Sequence, residues 1–411
     1  MQSPLKDIRV LDFSIAFSGP LCASMLGDMG AEVIKIEEIR GESIRRGRIA
    51  AMDALDQVED EESLDDAKWL AMNRSKKSLA IDIRCEKGKE IAFKLIKDAD
   101  VFLECFRPGV MDRLGYGYEM ISDINPRIVY CSLSGFGEKG PLARRIGADL
   151  WTQAMAGVVS YQGTSKGPPY ASSIAFIDQG GAGILAFGIM VALFVRERTG
   201  IGQHLSSSLL HAALHMQSAE VSSYLVDGQL TTKVGRGQGR FPHGAYQCKD
   251  GDVVTIFGEG PQWSTLCKLL GLEHLITNPL YNTDEKRYQR REELYPILDE
   301  GFRKKTRAEW QQLFREAKMR CDPCLNYHEL FSHPQIEANE MVITLEHPIR
   351  GAIRQVAAPT RLERTPANPS RPPPLLGQHT VEILTELDYS SEDIDKLENM
   401  GVIKTRRAKK K

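Results

Sequence analysis

The chain has 411 residues, of which 42% are hydrophobic and 26% charged, a composition typical of soluble globular proteins. This length predicts two domains, or one large α/β domain with an insertion. A formal net charge of −2 argues against nucleic acid as a ligand. The N-terminal residues show no secretory signal pattern, and the longest apolar run, residues 184–195, is too short to span a membrane. We therefore expect a cytoplasmic protein with no membrane partner, whose scattered cysteines are reduced.

The predicted elements begin with an alternation of strand, helix and strand. "IRVLDFS", residues 8–14, predicts a buried strand, and "AEVIKIE", residues 31–37, predicts a second one. The pattern between them predicts a helix with Pro20 in its first turn and Gly30 just past its end. Two strands joined by one short helix are parallel, so this segment predicts a βαβ unit.

The same alternation continues through the first half of the chain. It predicts strands at "KSLAIDI", "DVFLECF" and "RIVYCSLSGFG", and an amphipathic helix at "KGKEIAFKLIKDA". The predicted fold class is therefore α/β, with a doubly wound, Rossmann-type parallel sheet. No G-x-G-x-x-G follows the first strand, which argues against a nicotinamide dinucleotide as the ligand.

The second half of the chain predicts a smaller α+β domain. The expected elements are helices at 179–195 and 209–226, a hairpin around Asp250 and Gly251, helices within 263–317, and a last helix near 382–397. We expect the first part of the large domain in residues 1–205, a helical linker in 206–235, the small domain in 236–330, and a return to the large domain in 331–411.

Two patterns that resemble metal sites are weak in this chain. His211 and His215 share a helix face, but no third ligand stands at the required spacing. Cys321 and Cys324 form a C-x-x-C without a second pair, and the Asp-Pro between them predicts a turn. We therefore expect no metal. No G-x-S-x-G elbow of the serine hydrolase kind is predicted, because the matching letters "GTSKG", residues 163–167, follow no predicted strand; the G-x-x-x-x-G-K-[ST] of P-loop enzymes is missing from the sequence.

Three stretches carry basic residues where we expect the C-terminal ends of strands. They are "NRSKKS", "CFRPGVMDRLGY" and "SGFGEKGPLARRIGAD". Ligands of open α/β sheets bind at this edge, and clustered Arg and Lys favour phosphate groups there. Each stretch alone is more often an ordinary charged surface, but three in succession predict a phosphorylated ligand.

The chain resembles the family III CoA-transferases, the group that includes formyl-CoA and carnitine-type CoA-transferases. The matching stretches are "LDFSIAFSGPLCASMLGDMGAEVIKIE", "NRSKKSLAIDIRCEKGKE", "ADVFLECFRPGVMDRLG", "NPRIVYCSLSGFGEKGP" and "FIDQGGAGILAFGIMVALFVRERTGIGQ". They cover the first half of the chain densely, and "FPHGAYQCKDGDVV" and "NPLYNT" extend the match more loosely.

This resemblance implies that Asp178 is a nucleophile that forms a mixed anhydride and then a thioester with CoA. Asp149 matches a second acidic position that the transferases use. We expect the N–H groups of Gly180 and Gly181, near the start of a helix, to stabilise a tetrahedral intermediate, and the bare backbone to admit bulky groups. The alternative from the residues alone is that Asp178 and Asp149 are helix caps.

The resemblance also implies which residues bind coenzyme A, which we expect as a substrate rather than a permanently bound cofactor. The matching positions are Ala16, Ser18, Arg74, Lys77, Phe106, Arg113, Leu114 and Arg145. Glu38 stands where formyl-CoA transferases have an Arg, and we expect Arg40 to substitute for it. Cys105 stands where an Asn commonly precedes the Phe.

Three positions bear on the acid substrate. Formyl-CoA transferases carry a Gln at the position of Phe17 and a strongly glycine-rich loop near "FGEGPQW", where this chain has only Gly258 and Gly260. We therefore expect a larger or less polar acid than oxalate.

Two alternative functions stay open at the level of sequence. One is an α-methylacyl-CoA racemase or isomerase of the same fold, which Ala148 disfavours because the racemases have a proton-transferring His there. The other is a non-catalytic CoA-binding homologue. In either case the resemblance implies an interlocked homodimer.

Overall fold

The computed structural model describes residues 3–46, 65–164, 167–230, 233, 235–236, 241–256, 261–367, 369 and 371–406. The chain forms two compact units. The large unit comprises Met1–Ala156, Ser172–Ser218 and Glu337–Lys411, and the small unit comprises Gly157–Ala171 and Ala219–Ile336.

The strands of the described residues, in chain order, are β1 Arg9–Asp12, β2 Glu32–Glu37, β3 Lys76–Ile81, β4 Val101–Glu104, β5 Val129–Ser134, β6 Gln203–Ser208, β7 Gly244–Cys248, β8 Gly251–Ile256, β9 Arg320–Pro323, β10 Val342–His347, β11 Gly351–Val356 and β12 Ile403–Lys404. The α-helices are α1 Ser18–Asp28, α2 Ala67–Asn73, α3 Glu86–Lys97, α4 Val110–Leu114, α5 Tyr118–Ile124, α6 Asp149–Met155, α7 Val158–Tyr161, α8 Phe176–Thr199, α9 Leu209–Met216, α10 Ser218–Asp227, α11 Pro261–Leu270, α12 Asp284–Gln289, α13 Arg291–Phe302, α14 Arg307–Glu316, α15 Tyr327–Phe331, α16 Pro334–Ala338, α17 Thr380–Glu386 and α18 Ser391–Asn399.

The large unit is built on one seven-stranded sheet in the order β12-β3-β2-β1-β4-β5-β6. Strands β1 to β6 are parallel, and β12 pairs antiparallel with β3. The predicted parallel α/β sheet is therefore confirmed. Both faces are covered: Leu11 and Phe102 belong to one core cluster, while Val10 and Leu103 belong to the other. Burial on both faces explains why these strands read as continuous apolar runs.

The structure corrects three details of the predicted elements. The polar edge strand β6 was not predicted. The helix predicted for 209–226 is two helices, α9 and α10, and the last predicted helix is also two, α17 and α18. Serines account for half of β6, and burial alternates along it, so its pattern lacks the apolar run of a strand with two covered faces.

The small unit contains an antiparallel sheet in the order β7-β8-β9, packed with helices around its own core. The predicted hairpin is confirmed, because Cys248 pairs with Gly251 across the turn. The turn predicted between Cys321 and Cys324 is wrong, because Arg320–Pro323 is β9. Cys321 is buried in the core of the small unit, which accounts for its presence there.

Helix α8 has 24 residues and is long and apolar enough to cross a membrane by length and composition alone. A core helix of a soluble protein passes the same test. One face of α8 packs into the core through residues such as Leu185 and Ile189, and buried Arg196 pairs with Asp100 at 2.8 Å. Packing against the sheet therefore explains one apolar face of α8.

Candidate functional site

The candidate site lies where the order of the parallel sheet reverses, between β1 and β4. Their C-terminal ends lead into two loops that touch: the Cys105 sulfur lies 3.0 Å from the Ile15 nitrogen and 3.2 Å from its carbonyl oxygen. In open α/β sheets, ligands bind in the crevice outside the strand ends at this reversal. The loop after β1 continues into α1, which packs against α8.

Asp178 lies in the first turn of α8 and faces the first turn of α1. Its Oδ1 accepts a 2.6 Å hydrogen bond from the hydroxyl of Ser18, the first residue of α1. Within the described part of the chain, Oδ2 has no hydrogen-bond partner and the carboxylate has no ion pair. The residue is only partly buried, so one carboxylate oxygen is held by Ser18 while the other has no partner in the part of the chain that the structure describes.

The N-terminus of α8 is capped by Asp149, the first residue of α6. One oxygen of the Asp149 carboxylate accepts the N–H groups of Ile177 at 2.8 Å and of Asp178 at 3.1 Å. The N-cap residue of α8 is Ala175, which provides no side-chain cap. The alternative that Asp178 caps its own helix is therefore wrong. Asp149 does act as a cap, but of α8 rather than of α6.

The surroundings of Asp178 change its acidity. Burial raises the pKa of the Asp178 carboxyl to about 6; the Ser18 hydrogen bond opposes this rise, and the charge of Asp149 adds to it. At pH 7 the group is mainly ionised, and it is poorly solvated for a carboxylate. Such a group combines availability as an anion with a basicity above that of an ordinary aspartate.

Gly180 and Gly181 lie past the unpaired N–H groups of the α8 terminus. Because α8 begins at Phe176, their N–H groups bond within the helix. The predicted role of these two N–H groups in stabilising an intermediate is therefore wrong. A Cβ added to Gly180 would lie 2.4 Å from the Met216 sulfur, and one on Gly181 would lie 3.6 Å from Leu209. Gly180 therefore leaves room for the Met216 side chain of α9, whereas a Cβ on Gly181 would make only an ordinary contact.

The stretch "NRSKKS" lies at the N-terminal end of β3, so its predicted place at a C-terminal strand end is wrong. Arg74 is buried, and its guanidinium makes three hydrogen bonds of 2.7 to 3.1 Å to the Asp28 carboxylate. Lys77 is buried beside Glu32, Glu382 and Glu386, at 2.6, 2.8 and 3.3 Å. These cations are already neutralised, which contradicts their predicted role in binding nucleotide phosphates.

The other two basic stretches do follow C-terminal strand ends, those of β4 and β5. Arg113 and Arg145 are exposed, as is Arg40 after β2, and none makes an ion pair among the described residues. Phe106 and Leu114 are partly buried against the core of the large unit. The structure thus leaves the three arginines free to bind an anion.

The loop after β5, residues 135–148, is closed at its base by two glycines. A Cβ added to Gly135 would lie 2.4 Å from the Gly147 Cα, and the reverse distance would be 2.3 Å. No side chain fits at either position without moving the backbone. Arg145 lies inside this loop, and Asp149 follows it directly.

The remaining predicted residues lie in different environments. Ala16 is exposed and adopts a left-handed conformation with φ of +66°, which is unusual for a residue with a Cβ. Phe17 packs against Ile44, Trp69 and Leu70. Gly258 and Gly260 lie outside the described residues. His211 and His215 are exposed on α9, and no group of three potential metal ligands occurs among the residues that the structure describes.

Sequence reasoning missed a buried charged network beneath the loop after β1. Lys76 contacts Asp12 at 2.8 Å, and Lys35 contacts Glu42 at 3.3 Å. Burial lowers the pKa of Lys76 to about 8, while Asp12 opposes that shift. The sequence feature that indicates this network is a charged residue inside an apolar strand, such as Lys35 in "EVIKIE". Such a charge predicts a buried partner, since an unpaired one is too costly.

Comparisons with known proteins agree over nearly the whole chain. A family model described as CoA-transferase family III matches residues 5–380. The human succinyl-CoA:glutarate CoA-transferase is 35% identical over 404 residues, covering 97% of this chain and 90% of that protein. A formyl-CoA:oxalate CoA-transferase from Streptomyces avermitilis is 33% identical over 422 residues, covering 98% and 100%. The crystal structure of a CAIB/BAIF family protein from Brucella suis matches with a TM-score of 0.84 and 28% identity, covering 94% of this chain and 100% of that one.

Proposed function

Because the chain belongs to CoA-transferase family III and is therefore a CoA-transferase, we propose that Asp178 is its nucleophile. The observation that carries this proposal is the state of the Asp178 carboxylate: one oxygen is held by Ser18, the other is free, and Asp149 provides the helix cap. A partly buried carboxylate that has no capping role and no cation partner among the described residues costs stability, so a reactive role explains why it is there.

The proposed reaction passes through two kinds of acyl-enzyme. Asp178 Oδ2 attacks the thioester carbonyl of the donor, the C–S bond breaks, and CoA leaves as the thiolate. The thiolate then attacks the aspartyl carbonyl of the mixed anhydride, which releases the donor acid and leaves an aspartyl–CoA thioester. The acceptor carboxylate attacks that thioester and expels the thiolate, which finally attacks the acceptor acyl carbon and frees Asp178. Only a carboxylate can form both intermediates and be regenerated.

The acyl-CoA is proposed to bind across the crevice at the sheet reversal. Arg40, Arg113 and Arg145 would contact its phosphates, since each is exposed and without an ion pair among the described residues. Phe106 and Leu114 would line the nucleotide. Ser18 would position the nucleophile rather than touch CoA, because its hydroxyl proton is already directed at Asp178.

Trapping of the intermediate tests this mechanism most directly. Wild-type enzyme incubated with acyl-CoA and hydroxylamine should form a hydroxamate at Asp178, located by peptide mass spectrometry. Asp178→Ala should lose CoA exchange by at least about a thousandfold, while the near-isosteric Asp178→Asn controls for the shape of the site. Because the pKa of Asp178 is about 6, kcat/KM should fall as the pH drops below that value. Exchange retained by either variant would refute the nucleophile.

The acid substrate is proposed to be larger or less polar than oxalate. Phe17 supports this, because an apolar residue stands beside Ser18 where formyl-CoA transferases carry a Gln. The relative named for succinyl-CoA and glutarate supports a longer dicarboxylate. Parallel assays with oxalate, succinate, glutarate, and aromatic and branched acids would test it. A clear preference for oxalate would contradict the proposal.

We also propose that the protein forms an interlocked homodimer and that it is located in the cytoplasm. The exposed face of α8 supports the dimer, since Phe187 is 70% and Phe194 57% exposed, with Met190 and Val191 between them. In light scattering, the wild type should have the mass of a dimer and Phe187→Asp the mass of a monomer. Glu197→Lys, a change on the same helix, should keep the dimer mass. Eight free cysteines support a reducing compartment, which cell fractionation would test.

A further inference from the structure

The loop between β1 and α1 is held by three separate side chains. The Lys35 ammonium donates to the Ser14 carbonyl at 2.5 Å. The Cys105 sulfur contacts both backbone atoms of Ile15. The N–H of Ala16 donates to Glu42 Oε2 at 3.1 Å. Three successive residues of one short loop are thus fixed by groups from elsewhere in the chain.

Glu42 is itself firmly anchored. Its Oε1 accepts a 2.8 Å hydrogen bond from the indole of Trp69 and lies 3.3 Å from the Lys35 ammonium. The side chain is only 10% exposed. A carboxylate with both oxygens engaged in this way has little freedom to move, so it can fix the position of Ala16.

The residue that Glu42 holds is the one in an unfavourable backbone conformation. Ala16 has a φ of +66°, a region that residues with a Cβ rarely occupy. Two residues later, α1 begins at Ser18, whose hydroxyl lies 2.6 Å from Asp178. The turn at Ala16 therefore sets the direction in which α1 starts and the position of the Ser18 hydroxyl.

We propose that Glu42 is a positioning residue: by accepting the Ala16 N–H, it holds the left-handed turn that directs the Ser18 hydroxyl at Asp178. This inference rests on the proposed role of Asp178. Glu42 acts through the loop and makes no contact with Asp178, whose charged neighbour is Asp149. A direct role for Glu42 in binding phosphate is excluded by the sign of its charge.

Glu42→Gln tests the proposal because an amide has only one acceptor oxygen and cannot serve both Ala16 and Trp69. We expect kcat to fall about 10- to 100-fold with KM for acyl-CoA changed by less than about threefold. Ser18→Ala should lower kcat by a similar factor. The double variant should have a kcat within about twofold of that of Ser18→Ala, because both changes disturb the same hydrogen bond between Ser18 and Asp178. Fully multiplicative losses would overturn the proposal.

Relief of the backbone strain gives a second test. Glycine adopts a positive φ readily, so Ala16→Gly introduced into the Glu42→Gln variant should restore at least about half of the lost kcat, on a logarithmic scale. A merely structural role of Glu42 predicts no such rescue. Glu32→Gln is the matched control: it removes a carboxylate that pairs with Arg9 and Lys77 at the start of β2, at the opposite end of β1 from the loop, and should leave kcat unchanged.

A readout that needs no turnover separates this inference from the mechanism. Carbodiimide labels protonated carboxyls, so the extent of labelling of the Asp178 peptide against pH reports its titration. Its midpoint should rise in Glu42→Gln and in Ser18→Ala relative to the wild type, and stay in place in Glu32→Gln. An unmoved midpoint in Glu42→Gln overturns the inference even if the mechanism holds. If hydroxylamine traps nothing at Asp178, the mechanism fails while a moved midpoint still supports the positioning.

If Glu42→Gln does not fold, Trp69→Phe replaces it. This change removes the donor to Glu42 Oε1 and keeps an aromatic ring in the cluster of Ile44 and Leu70 and beneath Arg45. It should lower kcat by about two- to threefold. It should also raise the labelling midpoint, by less than Glu42→Gln would. Unchanged values for both in a folded Trp69→Phe protein would count against the proposal.

Discussion

Two groups of basic residues that look alike in the sequence have opposite fates in the structure. Arg74 and Lys77, at the N-terminal end of β3, are buried beside carboxylates. Arg113 and Arg145, after β4 and β5, are exposed and have no ion pair among the described residues. The first group is part of the folded scaffold, whereas the second is available to a ligand.

The difference follows from which end of a strand each group occupies. The ligand edge of a parallel sheet is its C-terminal edge, so a basic stretch that precedes a strand lies on the wrong side. Arg74 could be buried only because Asp28 and Ser75 complete its surroundings, with the Ser75 hydroxyl 2.7 Å from the same carboxylate. A basic motif thus predicts a phosphate site only when its place in the sheet is known.

The largest effect is expected from Arg74→Ala. It leaves the Asp28 carboxylate buried beside only a hydroxyl, so the free energy of unfolding should fall by about 3 to 5 kcal/mol. Urea unfolding at pH 7 measures this loss. Changing both partners, Arg74→Met with Asp28→Leu, should recover most of it. A stable Arg74→Ala protein with weakened CoA binding would reverse the assignment and place Arg74 in the ligand site.

A smaller effect, on binding rather than stability, is expected from Arg113→Ala and Arg145→Ala. Each should weaken CoA binding about tenfold, or about 1.4 kcal/mol, through the loss of a charge-assisted phosphate contact. Calorimetric titration at about 0.05 and 0.5 M salt should show a larger difference at low salt. The melting temperature is the control and should stay within about 2 °C. A lowered melting temperature with unchanged CoA binding would show that these arginines stabilise the fold rather than bind the ligand.

The smallest expected effect concerns the stability of the protein when the acidic side chain of Asp178 is neutralised. The pKa of Asp178 is raised from an ordinary 3.8 to about 6, so folding binds a proton and the ionised form destabilises the native state above pH 6. Asp178→Asn should therefore be more stable than the wild type by about 1 kcal/mol at pH 7.5, discounted for partial exposure.

That gain should shrink as the pH falls through 6 and vanish near 4, where both forms carry a neutral group. Chemical unfolding across this range checks the sign. Asp149→Ala is the contrasting variant, since it removes the cap of α8 and should cost about 1 kcal/mol at neutral pH. A wild type more stable than Asp178→Asn at pH 7.5 would show that the Asp178 charge is compensated by a group that the comparison overlooks.

The parallel sheet could be predicted because strands buried on both faces are apolar throughout, as "RVLD" and "VFLE" are. The edge strand β6 could not, because its serines carry no such signal. Asp178 was located through resemblance, but its contact with Ser18 joins residues 160 positions apart. Local sequence patterns carry no information on such a contact. The burial of Arg74 and Lys77 was equally invisible, because their carboxylate partners lie on other elements.

The pinched base at Gly135 and Gly147 has a consequence for how this enzyme can change. The base of the loop is closed by backbone contact between these two glycines, which fixes the distance between the end of β5 and the start of α6. Residues 137–144 can therefore be exchanged as a cassette, while buried Phe136 and the proposed phosphate contact Arg145 are kept and Asp149 stays in place at the start of α8. We expect such exchanges to leave the Asp178 carboxylate where it is, because Asp149, which caps its helix, lies outside the exchanged segment.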